Sequence, residues 1–207
     1  MGKLIDLSHT IKHDMAVYPG DEPVILKQNK FYKKDYYNNF ILSSGLHIGT
    51  HIDTPMHMSE DKLTIDEYPL NQFYGNGVLI NAYQEKIVSY KEEYDSLVQE
   101  NDIVLIYTGH SEYYGMKNYY EDYPILSERL IHFLIEKKVK LIGVDTPSPD
   151  KPPFLMHQEL FKHHILLIEN LCNLNKLINV KKFEVFSFPL KIKADASLLR
   201  VVAKISE

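Results

Sequence analysis

The chain has 207 residues, and its 23 basic and 28 acidic side chains give a formal net charge of −5 at pH 7. A hydrophobic fraction of 44% with 25% charged residues is ordinary for a globular protein and argues against disordered, collagen-like and coiled-coil classes. A chain of this length suits one domain, which we expect to span residues 1–207.

The single cysteine, Cys172, cannot form an internal disulfide or a multi-cysteine zinc site, so any metal has to be bound by His, Asp or Glu. Basic residues occur as scattered pairs, and no apolar run approaches the roughly 18 residues of a membrane-spanning helix. The first residues lack the apolar core of a signal peptide. We therefore expect a cytoplasmic protein that acts on a small molecule, with neither nucleic acid nor membrane as a partner.

Short runs rich in Val and Ile, each bounded by turn-forming or charged residues, predict β-strands. Two amphipathic patterns between them predict helices from Ser89 to Val98 and from Ser127 to Lys137, with Ser127 as an N-cap. The last two predicted strands follow each other without a helix, so we expect an α/β fold with a mixed β-sheet. The predicted strands are residues 3–7, 77–81, 103–107, 139–144, 165–168, 183–189 and 198–205.

Histidine usage is unusual, and three side chains that can bind metal alternate along one short segment. A strand there would place His47, His51 and Asp53 on one face, with Ile48 and Ile52 turned to the core. A helix would also bring the two histidines together, but it would carry the aspartate off their face. Two imidazoles and a carboxylate on one strand face favour a divalent metal site.

The residues around this pattern extend the prediction. Gly49 removes a side chain between two candidate ligands, where a metal or substrate would come close. Pro55 ends regular strand pairing, so we expect His57 to turn out of the strand and to take part in chemistry more than in coordination. Any one of these histidines alone is more often a surface or core residue than a ligand, and only their combination favours the metal site.

A metal hydrolase needs a second carboxylate, and the later part of the chain offers candidates. Glu169 ends an apolar run and lies twelve residues after His157, a separation that a short helix followed by a strand can fold back on itself. Taken alone, both residues could be solvated. Asp145 is interpreted as a loop-shaping residue. His110 follows another apolar strand and could line the same pocket.

The segment HIGTHIDTPMH at residues 47–57 resembles the signature of the cyclase family of metal hydrolases, which includes the bacterial kynurenine formamidases. Weaker matches occur before and after this segment in the same order as in the family, so the resemblance covers nearly the whole chain. They are DLS at 6–8, YPGD at 18–21, TG at 108–109, GVDTPS at 143–148 and ENL at 169–171.

The resemblance implies a ligand set. In the formamidases of this family, the positions of His47 and His51 bind one metal ion and that of Asp53 bridges two. The position of His157 binds the second ion, and that of Glu169 bridges both. The implied cofactors are two divalent ions per subunit, Zn²⁺ first and Mn²⁺ as the alternative.

The resemblance also implies a mechanism, a fold and an assembly. Such ions activate a water molecule and polarise a carbonyl, while His57 accepts a proton and returns it to the leaving nitrogen. Tyr18 replaces a Trp that commonly lines the formamidase pocket, which leaves the exact aryl group open.

The implied fold is a swivelling β/β/α domain in a homodimer or homotetramer. The tyrosine-rich stretches 31–37 and 113–123 could be subunit contacts, pocket walls or ordinary exposed surface.

Three hypotheses follow from these residues. The first is a dinuclear amide hydrolase acting on an aryl formamide, N-formylkynurenine above all. The second keeps the enzyme but makes its substrate a cyclic amide of the isatin type or a lactone. The third is a non-catalytic domain in which closed metal coordination only stabilises the fold.

Overall fold

A large mixed β-sheet forms the centre of the protein in a computed structural model that describes residues 2–205. Within these residues the helices are α1 (Tyr32–Asp35), α2 (Tyr94–Leu97), α3 (Glu128–Glu136) and α4 (Leu155–Lys162). The strands are β1 (Lys3–Asp6), β2 (Ile25–Lys30), β3 (Asn39–Ser43), β4 (His51–Asp53), β5 (Tyr74–Asn81), β6 (Ile87–Val88), β7 (Ile103–Tyr107), β8 (Ile125–Leu126), β9 (Leu141–Val144), β10 (Leu166–Glu169), β11 (Phe183–Phe186), β12 (Ala196–Leu198) and β13 (Val202–Ile205).

The main sheet has the strand order β1-β13-β11-β5-β7-β9-β10-β4-β12. The four neighbours β5, β7, β9 and β10 run parallel, and the other pairs of this sheet are antiparallel. Strands β2 and β3 form a separate antiparallel hairpin, and β6 pairs with β8. The predicted α/β class with a mixed sheet is confirmed.

The parallel strands are buried on both faces, as β7 illustrates. Ile103, Leu105 and Tyr107 pack into one hydrophobic cluster, and Val104 and Ile106 pack into a second. Successive side chains of a strand point to opposite faces, so a fully covered sheet requires apolar residues at every position. Helices α3 and α4 complete the second cluster with Leu130, Ile131, Phe133, Leu134, Leu160 and Phe161.

Helix α3 confirms the amphipathic pattern that predicts it. Leu130, Ile131 and Leu134 are fully buried on one face of the helix. The Oγ atom of Ser127 accepts a hydrogen bond from the backbone N–H of Leu130 at 3.2 Å, so the predicted N-cap is confirmed as well.

The helix expected over Ser89–Val98 is wrong for most of its length, because only the single turn α2 forms. The backbone N–H of Ser127 donates to the carbonyl oxygen of Val88 at 2.9 Å. Val88 directly precedes the expected helix and is held in the extended strand β6. The ring of Tyr90 packs on that of Phe133 with 5.0 Å between centroids. Tertiary contacts thus override the local periodicity.

The strand expected over residues 198–205 is divided into β12 and β13. β12 pairs with β4 at one edge of the sheet, whereas β13 pairs with β1 and β11 on the opposite side. Between them, the backbone N–H of Leu199 donates to the carbonyl of Thr50, and that of Val201 donates to Oγ of Ser8. The apolar run therefore contributes one strand to each of two distant parts of the sheet.

The hairpin of β2 and β3 has no counterpart in the sequence prediction. Every residue of β3 is exposed, so the strand lacks the buried face that would give a periodic hydrophobic signal. Phe40, Ile41 and Leu42 are among its exposed side chains. Helix α1 lies in the tyrosine-rich stretch 31–37, and a subunit contact there stays a prediction. Within residues 2–205, no helix is long and apolar enough to cross a membrane.

We expect Ser127→Ala to lower the free energy of unfolding by about 1 kcal/mol, because the first turn of α3 loses its side-chain acceptor. Urea denaturation followed by circular dichroism measures the change. Ser96→Ala is the matched control, since the Ser96 hydroxyl donates only to a carbonyl in an exposed turn. Equal stability of the two variants would contradict the capping role.

Candidate metal centre

The pairing register of β4 and β10 brings three predicted ligands together. The strands are antiparallel, and His51 lies directly opposite Glu169. Asp53 lies two residues further along β4, so its side chain is on the same face as that of His51. All three residues are buried. The sheet therefore forms a His-Asp-Glu group from two distant segments of the chain.

Three atoms of this group have no hydrogen-bond partner within residues 2–205, namely Nε2 of His51 and both carboxylate oxygens of Asp53. The Nδ1–H of His51 donates to the carbonyl oxygen of Gly49 at 2.9 Å, which leaves Nε2 free. Nε2 lies 3.4 Å from Asp53 Oδ1 and 3.5 Å from Glu169 Oε2. Buried polar atoms without partners are rare, and this convergence of nitrogen and oxygen atoms fits a divalent cation.

His47 joins the group, although the strand expected to carry it is shorter than predicted. Strand β4 contains only His51–Asp53, and residues 47–49 form a bend in which Gly49 has a φ of +52°. The bend places Nδ1 of His47 2.9 Å from Oδ1 of Asp53. Strand alternation is therefore the wrong reason for the position of His47, although the predicted proximity holds.

Gly49 fits the backbone conformation of this bend, and its predicted role in leaving room for a metal or substrate stays a prediction. Its positive φ favours glycine, and a β-carbon at this position would lie 3.1 Å from Cε of Met15. The backbone bend therefore favours glycine, and a β-carbon here would need only a small shift of the Met15 side chain.

Helix α4 and the loop before it hold His157. Its Nδ1–H donates to Oδ1 of Asp150 at 2.7 Å, and its Nε2 lies 3.1 Å from Oε1 of Glu169. The other Asp150 oxygen accepts hydrogen bonds from the backbone N–H groups of Met156 and His157. Asp150 therefore fixes both the start of α4 and the ring of the predicted ligand. Nothing in the sequence distinguishes Asp150 from other loop carboxylates.

His57 lies outside the strand, as Pro55 predicts. It ends the 3-10 turn Pro55–His57, and its ring centroid lies 3.9 Å from that of His47. One oxygen of Asp195, Oδ2, lies 3.3 Å from Nδ1 of His57 and 3.0 Å from Nε2 of His47. Asp195 was not predicted, because the pairing of β12 with β4 brings it to the site and no local pattern marks it.

Carboxylates hold protons on two of the histidines. Burial lowers the pKa of His47, but the negative charges of Asp53 and Asp195 and the hydrogen bond to Asp195 outweigh burial and raise the pKa to about 10. Burial also lowers the pKa of His157, but hydrogen bonds to Asp150 and Glu169 and the charges of both raise it to about 10. Protons thus occupy positions that a cation would take, and metal binding would displace them.

The remaining groups are shifted in other directions. Burial lowers the pKa of His57, because attraction by Asp53 does not compensate for it. Burial raises the pKa of Glu169. Burial opposes ionisation of Asp53 as well, but His51 and His47 overcome it and hold the pKa of that carboxyl well below its usual range. His57 is therefore neutral near pH 7 and able to accept a proton.

The six predicted site residues line one cavity of about 180 Å³, namely His47, His51, Asp53, His57, His157 and Glu169. Tyr18, the predicted substrate-contacting residue, lies in its wall with Tyr120 and Phe154. Tyr120 belongs to the stretch 113–123, so the pocket-wall alternative holds for this residue. Among the described residues, no Lys or Arg lines the cavity. Its aromatic side chains suit a small, flat ring.

Three other residues singled out in the sequence lie outside this cavity. His110 lines a second cavity of about 300 Å³, where its Nε2–H donates to the carbonyl of Tyr119 at 2.8 Å. Asp145 accepts hydrogen bonds from the backbone N–H and the hydroxyl of Thr108, which confirms its loop-shaping role. Cys172 is half-buried, and burial raises the pKa of its thiol to about 11.

Sequence relatives point to one family. A family model described as "Putative cyclase" matches residues 5–151. The kynurenine formamidase of Bacillus anthracis is 30% identical over 210 residues, an alignment that covers 98% of this chain and 97% of the relative. The kynurenine formamidase of Bacillus mycoides (strain KBAB4) is 29% identical over 206 residues, with 97% and 96% covered.

Solved structures share the fold. One described as a potential metal-dependent hydrolase with cyclase activity has a TM-score of 0.80 and 25% identity, and the match covers 100% of both chains. Isatin hydrolase A from Labrenzia aggregata, bound to benzyl benzoate, has a TM-score of 0.87 and 23% identity, with 99% of this chain and 94% of that chain covered.

The fold, the relatives and the convergent His, Asp and Glu groups together define a metal-dependent amidohydrolase. Within that class, the chain belongs to the cyclase family. The cyclase-family fold predicted from the sequence is confirmed by the solved structures.

We expect Asp53→Asn and Glu169→Gln to lower the content of divalent metal, because each removes a negative oxygen from the buried group. Elemental analysis after dialysis against trace metal measures the number of ions per chain. His163→Ala is the control, since His163 is half-exposed and pairs with Glu159 outside the cavity. Wild-type metal content in both carboxylate variants would show that the metal binds elsewhere.

Proposed function

We propose that the chain is a dinuclear metal hydrolase that cleaves the C–N bond of an aryl formamide, with N-formylkynurenine as the substrate. The observation that carries this proposal is the position of Asp53, a buried carboxylate with two unpartnered oxygens. Its Oδ1 lies 2.9 Å from Nδ1 of His47 and 3.4 Å from Nε2 of His51. The second carboxylate, Glu169, lies 3.5 Å from Nε2 of His51 and 3.1 Å from Nε2 of His157. Two carboxylates that link three histidines in this way suit a pair of divalent ions.

In this proposal His47 and His51 would hold the first ion, His157 would hold the second, and Asp53 and Glu169 would be ligands common to both. Divalent ions in such a cavity supply a Lewis acid and lower the pKa of a bound water molecule. The ligand types suit Zn²⁺, which we propose as the resident ion, and Mn²⁺ is the alternative. The unpartnered atoms of His51 and Asp53 support this assignment.

His57 is the proton carrier of the proposed reaction. Its Nδ1 contacts Asp195, so Nε2 is the nitrogen left to exchange protons in the cavity. Because burial keeps the ring neutral near pH 7, it can accept a proton from the attacking water. It then returns the proton to the nitrogen of the amide as the C–N bond breaks.

The cavity wall supports an aryl substrate. The rings of Tyr18 and Tyr120 meet edge to face at 5.6 Å, and Phe154 adds a third aromatic surface. Relatives that are 29% and 30% identical are kynurenine formamidases, which supports a formamide as the substrate. Tyr18 is smaller than the Trp common in those enzymes and adds a hydroxyl group, so it adjusts the fit of the ring.

A cyclic amide or lactone is the second candidate. The same ligand groups would activate a ring carbonyl, and the aromatic wall that suits an aryl formamide suits a flat cyclic amide as well. We further propose that the enzyme is a homodimer or homotetramer, as the family resemblance implies, and that it works in the cytoplasm.

We expect His57→Ala to lower kcat by about 10²–10⁴-fold while the metal content stays at the wild-type value, because the residue moves protons and does not hold an ion. Steady-state kinetics and elemental analysis on the same samples measure both quantities. His163→Ala is again the control. Loss of metal together with activity would show that His57 is a ligand.

We expect metal-dependent hydrolysis of N-formylkynurenine to exceed that of isatin and of a simple aryl lactone. Each substrate is tested with protein as purified, after chelation, and after reloading with Zn²⁺ or Mn²⁺. Faster ring opening would select the second candidate. Two bound ions with no turnover of any of these substrates would favour the non-catalytic domain.

A further inference from the structure

One carboxylate contacts two histidines that have different roles. We infer that Asp195 is a positioning residue that orients both the metal-binding His47 and the proton carrier His57 through a single oxygen atom, and so fixes which nitrogen each ring presents. The roles of the two histidines rest on the proposed function, whereas their contacts with Asp195 are present in the structure whatever the function is.

The contacts determine the tautomers. Oδ2 of Asp195 lies 3.0 Å from Nε2 of His47 and 3.3 Å from Nδ1 of His57. An ionised carboxylate only accepts hydrogen bonds, so both of these nitrogens have to carry the hydrogen. His47 therefore presents Nδ1, which lies 2.9 Å from Oδ1 of Asp53, and His57 presents Nε2.

The two rings also constrain each other. Their centroids are 3.9 Å apart and their planes are inclined by 31°. Because His47 and His57 share both an acceptor oxygen and a ring contact, a rotation of one ring disturbs the other. Asp195 thus couples the orientation of the metal ligand to that of the proton carrier.

The backbone of Asp195 is fixed by several bonds. The backbone N–H and the hydroxyl of Thr54 both donate to the Asp195 carbonyl oxygen, at 3.0 and 2.8 Å. On either side, Ala196 lies opposite Asp53 in the β12–β4 pair, and the carbonyl of Ala194 accepts from the N–H of Ile65. A carboxylate on such a rigid support can hold its partners in one geometry.

A carboxylate that accepts from a metal-binding histidine fixes the ring, and its loss typically costs 10–100-fold in metal affinity or activity. When the carboxylate beside a catalytic histidine is lost, the wrong tautomer can form. Asp195 is placed to do both, which distinguishes it from Asp150, whose side chain contacts one of the proposed ligands.

The test uses full-length protein loaded with diamagnetic Zn²⁺ and labelled with ¹⁵N-histidine. We expect wild-type His57 to show a protonated Nδ1 and an unprotonated Nε2 in the NMR spectrum, with the signal assigned by its absence in His57→Ala. In Asp195→Ala we expect the hydrogen to move to Nε2, the commoner site in a free imidazole. This readout requires no substrate.

Kinetics and metal titration complete the test. We expect Asp195→Ala at saturating Zn²⁺ to lower kcat by about 10–100-fold with KM within about twofold, and to weaken Zn²⁺ binding by a similar factor. Asp195→Asn keeps an oxygen acceptor, so it should retain the wild-type His57 tautomer. It should also retain most of the turnover that Asp195→Ala loses. Circular dichroism verifies that both variants are folded, and the Asp195→Asn variant keeps the comparison meaningful if the alanine variant is unstable.

Asp61→Ala is the matched control, because Asp61 is similarly exposed and faces His164 outside the cavity. Two results would overturn the inference: a wild-type His57 with hydrogen on Nε2, or an Asp195→Ala variant with unchanged tautomer, kcat and Zn²⁺ affinity. If wild type hydrolyses none of the substrates, the proposed function fails. The tautomer and the Zn²⁺ affinity still decide the role of Asp195 in that case.

Discussion

Strand β4 has only three residues, yet the geometry of the metal centre depends on its pairing. On one side β10 places Glu169 opposite His51, and on the other side β12 places Ala196 opposite Asp53. A shift of either neighbour by one residue would turn its side chains to the other face of the sheet. Buried ionisable groups are costly when isolated, so this fixed register is what lets each carboxylate of the centre meet a histidine.

The sequence predicts part of this centre and misses the rest for a physical reason. His51 and Asp53 alternate on a true strand, so periodicity reports their common face correctly. The family resemblance adds His157, which the fold brings to the same cavity. Asp195 contributes through tertiary contacts, and Asp150 contributes through the conformation of the loop before α4. No spacing or hydrophobic period reports either kind of contact. The same limit explains why helix α2 is shorter than its amphipathic pattern.

The histidines of the cavity follow one rule: one ring nitrogen is bound by a fixed acceptor and the other is left for a ligand or a proton. The acceptor is a backbone carbonyl for His51 and a carboxylate for His47, His57 and His157. The rings are therefore oriented before any cation or substrate arrives. Binding then needs little rearrangement of side chains, which lowers its entropic cost.

The long-range origin of these contacts has a consequence for folding. His157 and Glu169 are 12 residues apart in the chain, whereas His47 and Asp195 are separated by 148. The first pair can meet in a locally folded intermediate, but the second requires the sheet to be assembled around β4, and contacts of such separation form slowly. An ion that needs both segments stabilises the native chain and not its intermediates. Metal binding would therefore slow unfolding without guiding the early steps of folding.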